Sequence, residues 1–292
     1  MVEPALTIAA TLSSRSPFLA PLEKRAEADR AKRSFSRPRD KSDHLLSVRA
    51  FEQWEAARQG GAREERRFCE QSFLSSTSLR TIADLRTQFR EVLADSGFAA
   101  ARPRGGKARR WDAAGDDANA NANNTRVLRA VICAGLYPNV VRVQRPETTY
   151  VEQVAGAVAQ APTAKQLKMF TQADGRVFLH PSSVNFTDAD FVSPWLVFHQ
   201  KQATSKVFIR DSSMVTPYAL LLFGGELEVL HQRSEVHLDG WIRFAAQPRT
   251  GALVRALRGL LDDAVEAKLA RPDADLSAHP AIAALLKILA FE

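Results

Sequence analysis

The sequence predicts an α+β fold, in which a helical N-terminal region precedes a set of short β-strands and a final helix. Two observations support this prediction. Apolar residues recur at helical spacing through the first third of the chain, and after Arg126 the pattern changes to short alternating runs separated by turn residues. The length of 292 residues leaves room for two small domains.

The composition is that of a globular protein with a modest excess of positive charge. Hydrophobic residues make up 45% of the chain and charged residues 25%, and the formal net charge is +7. This sign of charge favours a partner that carries phosphate, although a soluble protein with a basic tail explains it equally well. Cys69 and Cys133 lack the spacing of metal ligands, which fits two buried thiols in a reducing compartment.

Membrane insertion and secretion are not expected. No apolar run reaches the length of a transmembrane helix. The apolar segment Ala5–Leu12 lacks the preceding basic residues of a secretory signal.

Three helices are predicted in the N-terminal region. The first is a charged, alanine-containing stretch over residues 21–34. The second begins at Ser42 or Asp43, either of which is a suitable N-cap residue, and ends at Gly60. The third covers residues 76–93. The second and third helices each carry an apolar stripe, which predicts packing in a core rather than a ligand site.

Residues 99–125 are predicted to be a disordered linker, because a basic, turn-rich segment is followed by an Asp, Asn and Ala run that cannot bury apolar surface. A short helix over Val127–Cys133 and a variable loop over Tyr150–Pro162 are predicted beyond it. Short strands are predicted at Val140–Gln144, Gln166–Phe170, Arg176–Leu179, Trp195–His199, Lys206–Arg210, Tyr218–Phe223, Glu226–Leu230 and Trp241–Phe244. This many short strands indicate a small barrel or a sandwich, and a final helix follows over Gly251–Leu269.

The sequence carries no motif that would catalyse a reaction by itself. It lacks a G-x-x-x-x-G-K-[ST] phosphate loop, an Asp-Glu-x-His segment, a G-x-S-x-G nucleophile elbow and a paired-His metal motif. The histidines of the strand region lie on different predicted strands or turns, at His180, His199, His231 and His237. We therefore expect no metal site, no cofactor and no catalytic constellation.

Two groups of motifs follow one another along the chain. The first comprises Leu6–Phe18, Lys24–Lys32, Ser42–Leu45 with Phe51 and Trp54, Phe68–Ser75 and Ile82–Phe89. The second comprises Ala134–Val140, His180–Asn185, Trp195–His199, Arg210–Ser213 and Leu220–Gly225. The first group resembles the helicase-associated, or ratchet, domain of DEAH-box/RHA-type ATP-dependent RNA helicases. The second is similar to the OB-fold that follows this domain, and the branch most resembled is that of the larger RNA and G-quadruplex helicases.

The resemblance implies a helicase-associated helical domain over residues 1–98 that is truncated at its N-terminal side. A linker would follow over 99–125, an OB-fold domain over 126–270 and a C-terminal tail over 271–292. The two motor domains and the winged helix of the family are absent, so we infer a truncated gene model or a fragment, with a free-standing product as the alternative. ATP and Mg²⁺ are the cofactors of a full-length helicase, and the chain alone is not expected to hydrolyse ATP.

The partners that the resemblance implies are single-stranded or structured RNA, the helicase motor domains and protein activators, in the cytoplasm or the nucleus. An OB-type barrel binds single strands through a groove of cations, hydrogen-bond donors and exposed rings. Carried over to this chain, the RNA-binding residues are predicted to be His180, Ser182, Ser183, Asn185, Lys201, Thr204, Ser205 and Lys206. The rival hypothesis is a scaffold module that docks helicase regulators without binding RNA.

Two segments contain these residues. The turn 180–185 offers small side chains and backbone N–H groups to phosphates, although Pro181 and Asn185 could merely shape the turn. The segment 201–206 places two ammonium groups around two hydroxyls, which suits phosphate and 2′-OH contacts, although an exposed polar hairpin has the same composition. Strand aromatics that could stack on bases, but are more often part of a barrel core, are Trp195, Phe198, Phe208 and Phe223.

Overall fold

A computed structural model of the chain describes residues 1–98, 119–146, 150–153, 156–159, 162–272, 274, 276 and 279–290. Its N-terminal region consists of α1 (Val2–Leu12), α2 (Arg25–Ser34), α3 (Asp43–Gln59), α4 (Ala62–Gln71) and α5 (Ser76–Asp95). Most of the predicted linker, residues 99–118, lies outside the described residues. The three predicted helices are confirmed as α2, α3 and α5, and α1 and α4 are additional.

The start of α3 follows from its capping residue. The Ser42 side chain accepts a hydrogen bond from the Leu45 N–H at 3.0 Å, which satisfies one of the backbone donors that a helix leaves open at its first turn. Phe51 and Trp54 of α3 pack in one buried cluster with Leu79 of α5. The prediction that the apolar stripes form a core is therefore confirmed for α3 and for most of α5, whereas Val92, at the end of the α5 stripe, is exposed.

The strands close into a barrel. After α6 (Thr125–Leu136) come β1 (Val140–Gln144), the hairpin β2 (Tyr150–Gln153) and β3 (Gly156–Ala159), then β4 (Lys168–Thr171), β5 (Gly175–Leu179), β6 (Trp195–Ala203) and β7 (Val207–Val215). The order around the barrel is β1-β4-β5-β7-β6, with β5 parallel to β7 and the other neighbours antiparallel. Of the two predicted architectures, the structure therefore has the barrel, and the hairpin β2–β3 occupies the predicted variable loop.

The C-terminal part packs outside the barrel. It comprises α7 (Pro217–Phe223), β8 (Leu227–Leu230), β9 (Glu235–Leu238), β10 (Ile242–Ala245), α8 (Pro248–Ala270) and α9 (Pro280–Ala290). The three strands form a separate sheet in the order β10-β9-β8. Helix α9 lies in the predicted tail, where Ala281, Leu285 and Leu289 join a core cluster that α6 also enters.

The prediction of a strand at Tyr218–Phe223 is wrong, because these residues belong to α7. The Thr216 side chain accepts a hydrogen bond from the Ala219 N–H at 3.2 Å, and Pro217 occupies the first helical turn, where its missing N–H costs nothing. None of the described helices has the length and apolar character needed to cross a bilayer.

Candidate nucleic-acid interface

The turn after β5 is fixed to the start of α3 by buried polar groups. The Asp43 carboxylate accepts hydrogen bonds from the Ser183 hydroxyl, from the Val184 N–H at 2.9 Å and from the Ser212 N–H at 3.0 Å. A buried carboxylate is tolerated only when such donors replace water. The junction therefore holds the turn in a fixed position between the helical region and the barrel.

Two predicted RNA-binding residues belong to this junction. Ser183 and Asn185 are buried. The Asn185 side-chain amide donates to the Lys41 carbonyl oxygen at 3.2 Å and lies 2.9 Å from the Ser212 hydroxyl. Because both side chains are enclosed and engaged within the protein, we assign them a structural role, and RNA at the surface would not reach them.

The exposed part of the same turn lies among positive charges. Lys32 of α2 donates to the Ser182 carbonyl oxygen at 2.6 Å, and an Arg210 guanidinium nitrogen lies 2.8 Å from His180 Nε2. The pKa of His180 is lowered by partial burial and then by the charges of Arg210, Lys32 and Arg25. The cations Lys32 of α2 and Arg210 of β7 thus lie at the turn 180–185, which is the first of the two predicted RNA-binding segments.

The second predicted segment connects β6 to β7, and its two lysines differ. Lys201 Nζ lies 2.8 Å and 3.1 Å from the two Asp174 carboxylate oxygens, and this hydrogen bond lowers the pKa of Asp174. Lys206 Nζ instead lies 4.8 Å from the centroid of the Phe178 ring. At the exposed tip beside Ser205, the Thr204 hydroxyl donates to the Lys206 carbonyl oxygen at 3.1 Å. Lys206 is therefore better placed than Lys201 to meet an anionic strand.

Between the two segments, rings and cations share the outer face of β5 and β7. We call the following residues the outer strip: Lys32, Arg176, Phe178, His180, Lys206, Phe208 and Arg210. The Phe178 and Phe208 ring centroids are 6.2 Å apart, and those of His180 and Phe208 are 6.1 Å apart. The Arg176 guanidinium lies 5.2 Å from the Phe178 centroid. The strip combines aromatic faces with cations, the two elements from which single-strand binding surfaces are built.

Alternation along the two strands explains why these side chains share a face. Val177, Leu179 and Ile209 are buried in the barrel, so their neighbours point outward. The parallel pairing places Phe178 opposite Phe208. The strip is thus a direct consequence of strand periodicity and of one pairing.

The expectation that strand aromatics belong to the core is confirmed for Trp195 and Phe198, which are buried. Phe208 is only partly buried and lies in the outer strip, and Phe178 was missed altogether. The alternation of β5 could have identified Phe178 as outward-facing. Nothing local in the sequence indicates that β5 pairs with β7, which lies about thirty residues further along the chain.

Three family models match successive parts of the chain. Residues 1–78 match the helicase-associated domain, described as ratchet-like, residues 128–227 match an oligonucleotide/oligosaccharide-binding fold, and residues 234–290 match a C-terminal domain in RNA helicases. Counted along the chain, β4 and β5 are the second and third strands of the barrel, and residues 204–206 join the fourth, β6, to the fifth, β7. These are the positions where OB-folds bind oligonucleotides.

Curated helicases align with almost the whole chain. It is 42% identical over 293 residues to the putative ATP-dependent RNA helicase DHX57 of Homo sapiens, with 96% of this chain and 21% of that protein covered. It is 36% identical to the ATP-dependent DNA/RNA helicase DHX36 of Mus musculus, with 93% and 25% covered. It is also 36% identical to the DExH-box ATP-dependent RNA helicase DExH1 of Arabidopsis thaliana, with 94% and 25% covered. The chain therefore spans about a fifth to a quarter of the length of these relatives.

Proposed function

In its domains the chain corresponds to the C-terminal region of DEAH-box RNA helicases, and we propose that its barrel binds single-stranded RNA along the outer strip. The convergence of Lys32 and Arg210 on the turn of His180 carries this proposal. Cations from separate elements repel one another, and their placement on one turn is favourable where an anion is to be bound.

The side chains of the outer strip would make two kinds of contact with RNA. Arg176 and Lys206 lie over the Phe178 ring. With Lys32 they would move onto phosphates, and the faces of Phe178 and Phe208 would then stack on bases. Every base presents a π-face, so this part of the surface would tolerate many sequences. In a full-length helicase, motor domains that bind ATP and Mg²⁺ would draw the strand past the helices, while the barrel holds it.

A salt titration of RNA binding tests the proposal. A labelled uridine 12-mer is titrated with the purified chain, and fluorescence anisotropy gives the binding constant at several salt concentrations. Each neutralised phosphate of a single strand contributes a slope of about −0.7 to log K against log salt. The Lys206→Ala variant should therefore bind more weakly and with a shallower slope, by about 0.7.

Two further variants make this result specific. Lys201→Ala should have a smaller effect, because Lys201 is already paired with Asp174. Arg66→Ala on α4 removes the same charge away from the strip and should leave binding unchanged. If Lys206→Ala and Arg66→Ala lowered the affinity for RNA equally, only the overall charge of the protein would matter. That result would contradict the proposal.

A second candidate function, docking of a protein partner, is favoured by apolar side chains on the outside of α8. Leu253, Leu260, Val265 and Leu269 are between 51% and 63% exposed. This function would hold in place of RNA binding if the wild-type chain failed to bind RNA at low salt. Substitution of Leu260 by Lys should leave RNA binding by the outer strip unchanged.

A further inference from the structure

A cavity of about 200 Å³ lies beside the outer strip, between α1, α3 and the strands β6 and β7. One wall is apolar and is formed by Ile8, Leu12 and Phe18. Lys32 and Arg210 line the cavity as well as the strip, so a strand on the strip passes its mouth. The volume is smaller than the roughly 300–1,000 Å³ of sites for drug-sized ligands and suits one flat heterocycle.

Charge in the cavity is balanced, which argues against a phosphate as the occupant. Lys32 and Arg210 are matched there by Asp43 and Asp211. His44 adds no charge near neutral pH, because burial lowers its pKa to about 4. A balanced mixture of polar and apolar walls is better suited to a neutral heterocycle with hydrogen-bonding edges.

Two polar groups of the cavity lack partners. The Asp211 carboxylate forms no hydrogen bond or ion pair with any residue that the structure describes, whereas Asp43 is satisfied by the junction. His44 also lines the cavity and is 2% exposed, and its Nε2 has no hydrogen-bond partner among the described residues. The His44 nitrogen is buried, and buried polar groups normally have partners. Asp211 is half-buried and faces the same cavity, so an occupant with polar edges would complete this site.

The backbone is also unusual at Asp211. Its φ of 51° lies in the left-handed region, which aspartate adopts more readily than most residues. The ladder between β6 and β7 pairs Phe198 with Ser212 and Gln200 with Arg210, and it omits His199 and Asp211 between them. Local distortion of this kind clusters at ligand sites, and here it coincides with the unpartnered carboxylate.

We propose that this cavity receives an unpaired guanine base from a strand bound to the outer strip, with the Asp211 carboxylate as the acceptor of its hydrogen bonds. The proposal rests on RNA binding by the strip. Guanine is the RNA base whose Watson–Crick edge presents two adjacent N–H donors, which a carboxylate can accept with both oxygens. Recognition of splayed-out bases by such edges, with a ring such as Phe18 alongside, is the usual way in which proteins read single-stranded RNA.

The test compares three RNA 12-mers with the full chain by fluorescence anisotropy. One is all uridine, one carries a single central guanine, and one carries inosine there, which lacks the second N–H group. The guanine strand should bind about tenfold more tightly than the inosine and uridine strands, the discrimination typical of one bidentate base contact. Asp211→Asn should abolish this preference while leaving binding of the uridine strand unchanged.

The variants keep the result interpretable. Asparagine tolerates the left-handed region at least as well as aspartate, so Asp211→Asn should fold, and an unchanged melting temperature would verify it. Asp190→Asn changes the net charge equally at an exposed position and should retain the guanine preference. If all three strands bound the wild type equally, or if Asp211→Asn still preferred guanine, the proposal that the cavity receives guanine would be overturned. Failure of every strand to bind would overturn the proposed function itself.

Discussion

Phe178 and Phe208 are the residues by which the proposed surface for single-stranded RNA would differ from a merely basic one. Their rings lie 6.2 Å apart on the outer face of the barrel. Cations alone attract any polyanion, whereas exposed rings bind the bases that only an unpaired strand offers. At this scale the proposed preference for an unpaired strand depends on stacking, whereas the attraction to RNA depends on the cations.

Replacing Phe178 by Ala should weaken binding of a uridine 12-mer by about 1–3 kcal/mol, the cost of one stacked base. The slope of log K against log salt should stay unchanged, because no phosphate contact is removed. Tyr218→Ala is the control, since Tyr218 is 51% exposed on α7, outside the strip. A change in slope without a loss of affinity at low salt would contradict stacking at Phe178.

His44 should make the stability of the protein depend on pH. Burial lowers its pKa to about 4, with Asp43 acting in the opposite direction and His199 in the same one. The unfolded chain binds this proton near the ordinary value of about 6.5. Between these values the unfolded state holds more protons, so the free energy of unfolding should fall as the pH drops from about 6.5 to 4.

Between pH 6.5 and 4 the free energy of unfolding should fall by about 3 kcal/mol, since one pKa unit corresponds to about 1.4 kcal/mol. Urea unfolding at several pH values measures it. His44→Gln should flatten the curve between pH 4 and 6.5, and the same change at the exposed His231 is the control. An equally steep curve for His44→Gln would assign the pH dependence to other groups.

At the scale of elements, the first residues of α3 attach the helical region to the barrel. Lys41 and Ser42 pair with β7 through the Met214 N–H, 2.8 Å from the Lys41 carbonyl oxygen, and through an isolated bridge between Ser42 and Ser213. Asp43 completes the contact with its three donors. Lys32 of α2 also contacts the barrel side of this junction, through the Ser182 carbonyl oxygen.

Asp43→Ala should lower the free energy of unfolding by about 3 kcal/mol, because it leaves several buried donors without an acceptor. Asp84→Ala on α5 is the matched control, since Asp84 is exposed and the same carboxylate is removed. Urea denaturation measures both variants. If the two variants were equally stable, the junction would not hold the two parts together.

Local signals identified some elements and failed for others. The Ser42 N-cap and the apolar stripe of α3 could be predicted from the sequence because both depend on residues at or within a single helix. The run Tyr218–Phe223 is predicted to be a strand but belongs to α7, since a short apolar run fits a buried strand and a buried helix equally well. The Thr216-Pro217 pair is an N-cap residue followed by a proline in the first turn. This signal favours the helix over the strand.

For the whole molecule, the α+β fold and the family were predictable from the order of motifs along the chain. The surface that we propose for RNA binding could be predicted only in part. His180, Ser182 and Lys206 lie at the surface, whereas Ser183 and Asn185 are enclosed by the α3 junction. Ser183 contacts Asp43 and Asn185 contacts the Lys41 carbonyl oxygen, each about 140 residues away in the sequence, and no local pattern reveals these contacts.

We propose that the chain by itself does not hydrolyse ATP. The phosphate loop and the acidic segment for Mg²⁺ are absent from its 292 residues. Phosphate release from ATP and Mg²⁺, with and without the uridine 12-mer, should equal that of a blank without protein. A rate that rises with protein concentration and survives repeated purification would contradict this prediction.

Photo-crosslinking locates the strand directly. A 12-mer of 4-thiouridine is irradiated with the purified chain, and mass spectrometry identifies the modified residues. The outer strip predicts cross-links to Phe178, His180 and Phe208, which fade as salt is raised. Cross-links confined to α4 or α8, with none on β5 or β7, would contradict the central claim that the barrel face between these two strands binds RNA.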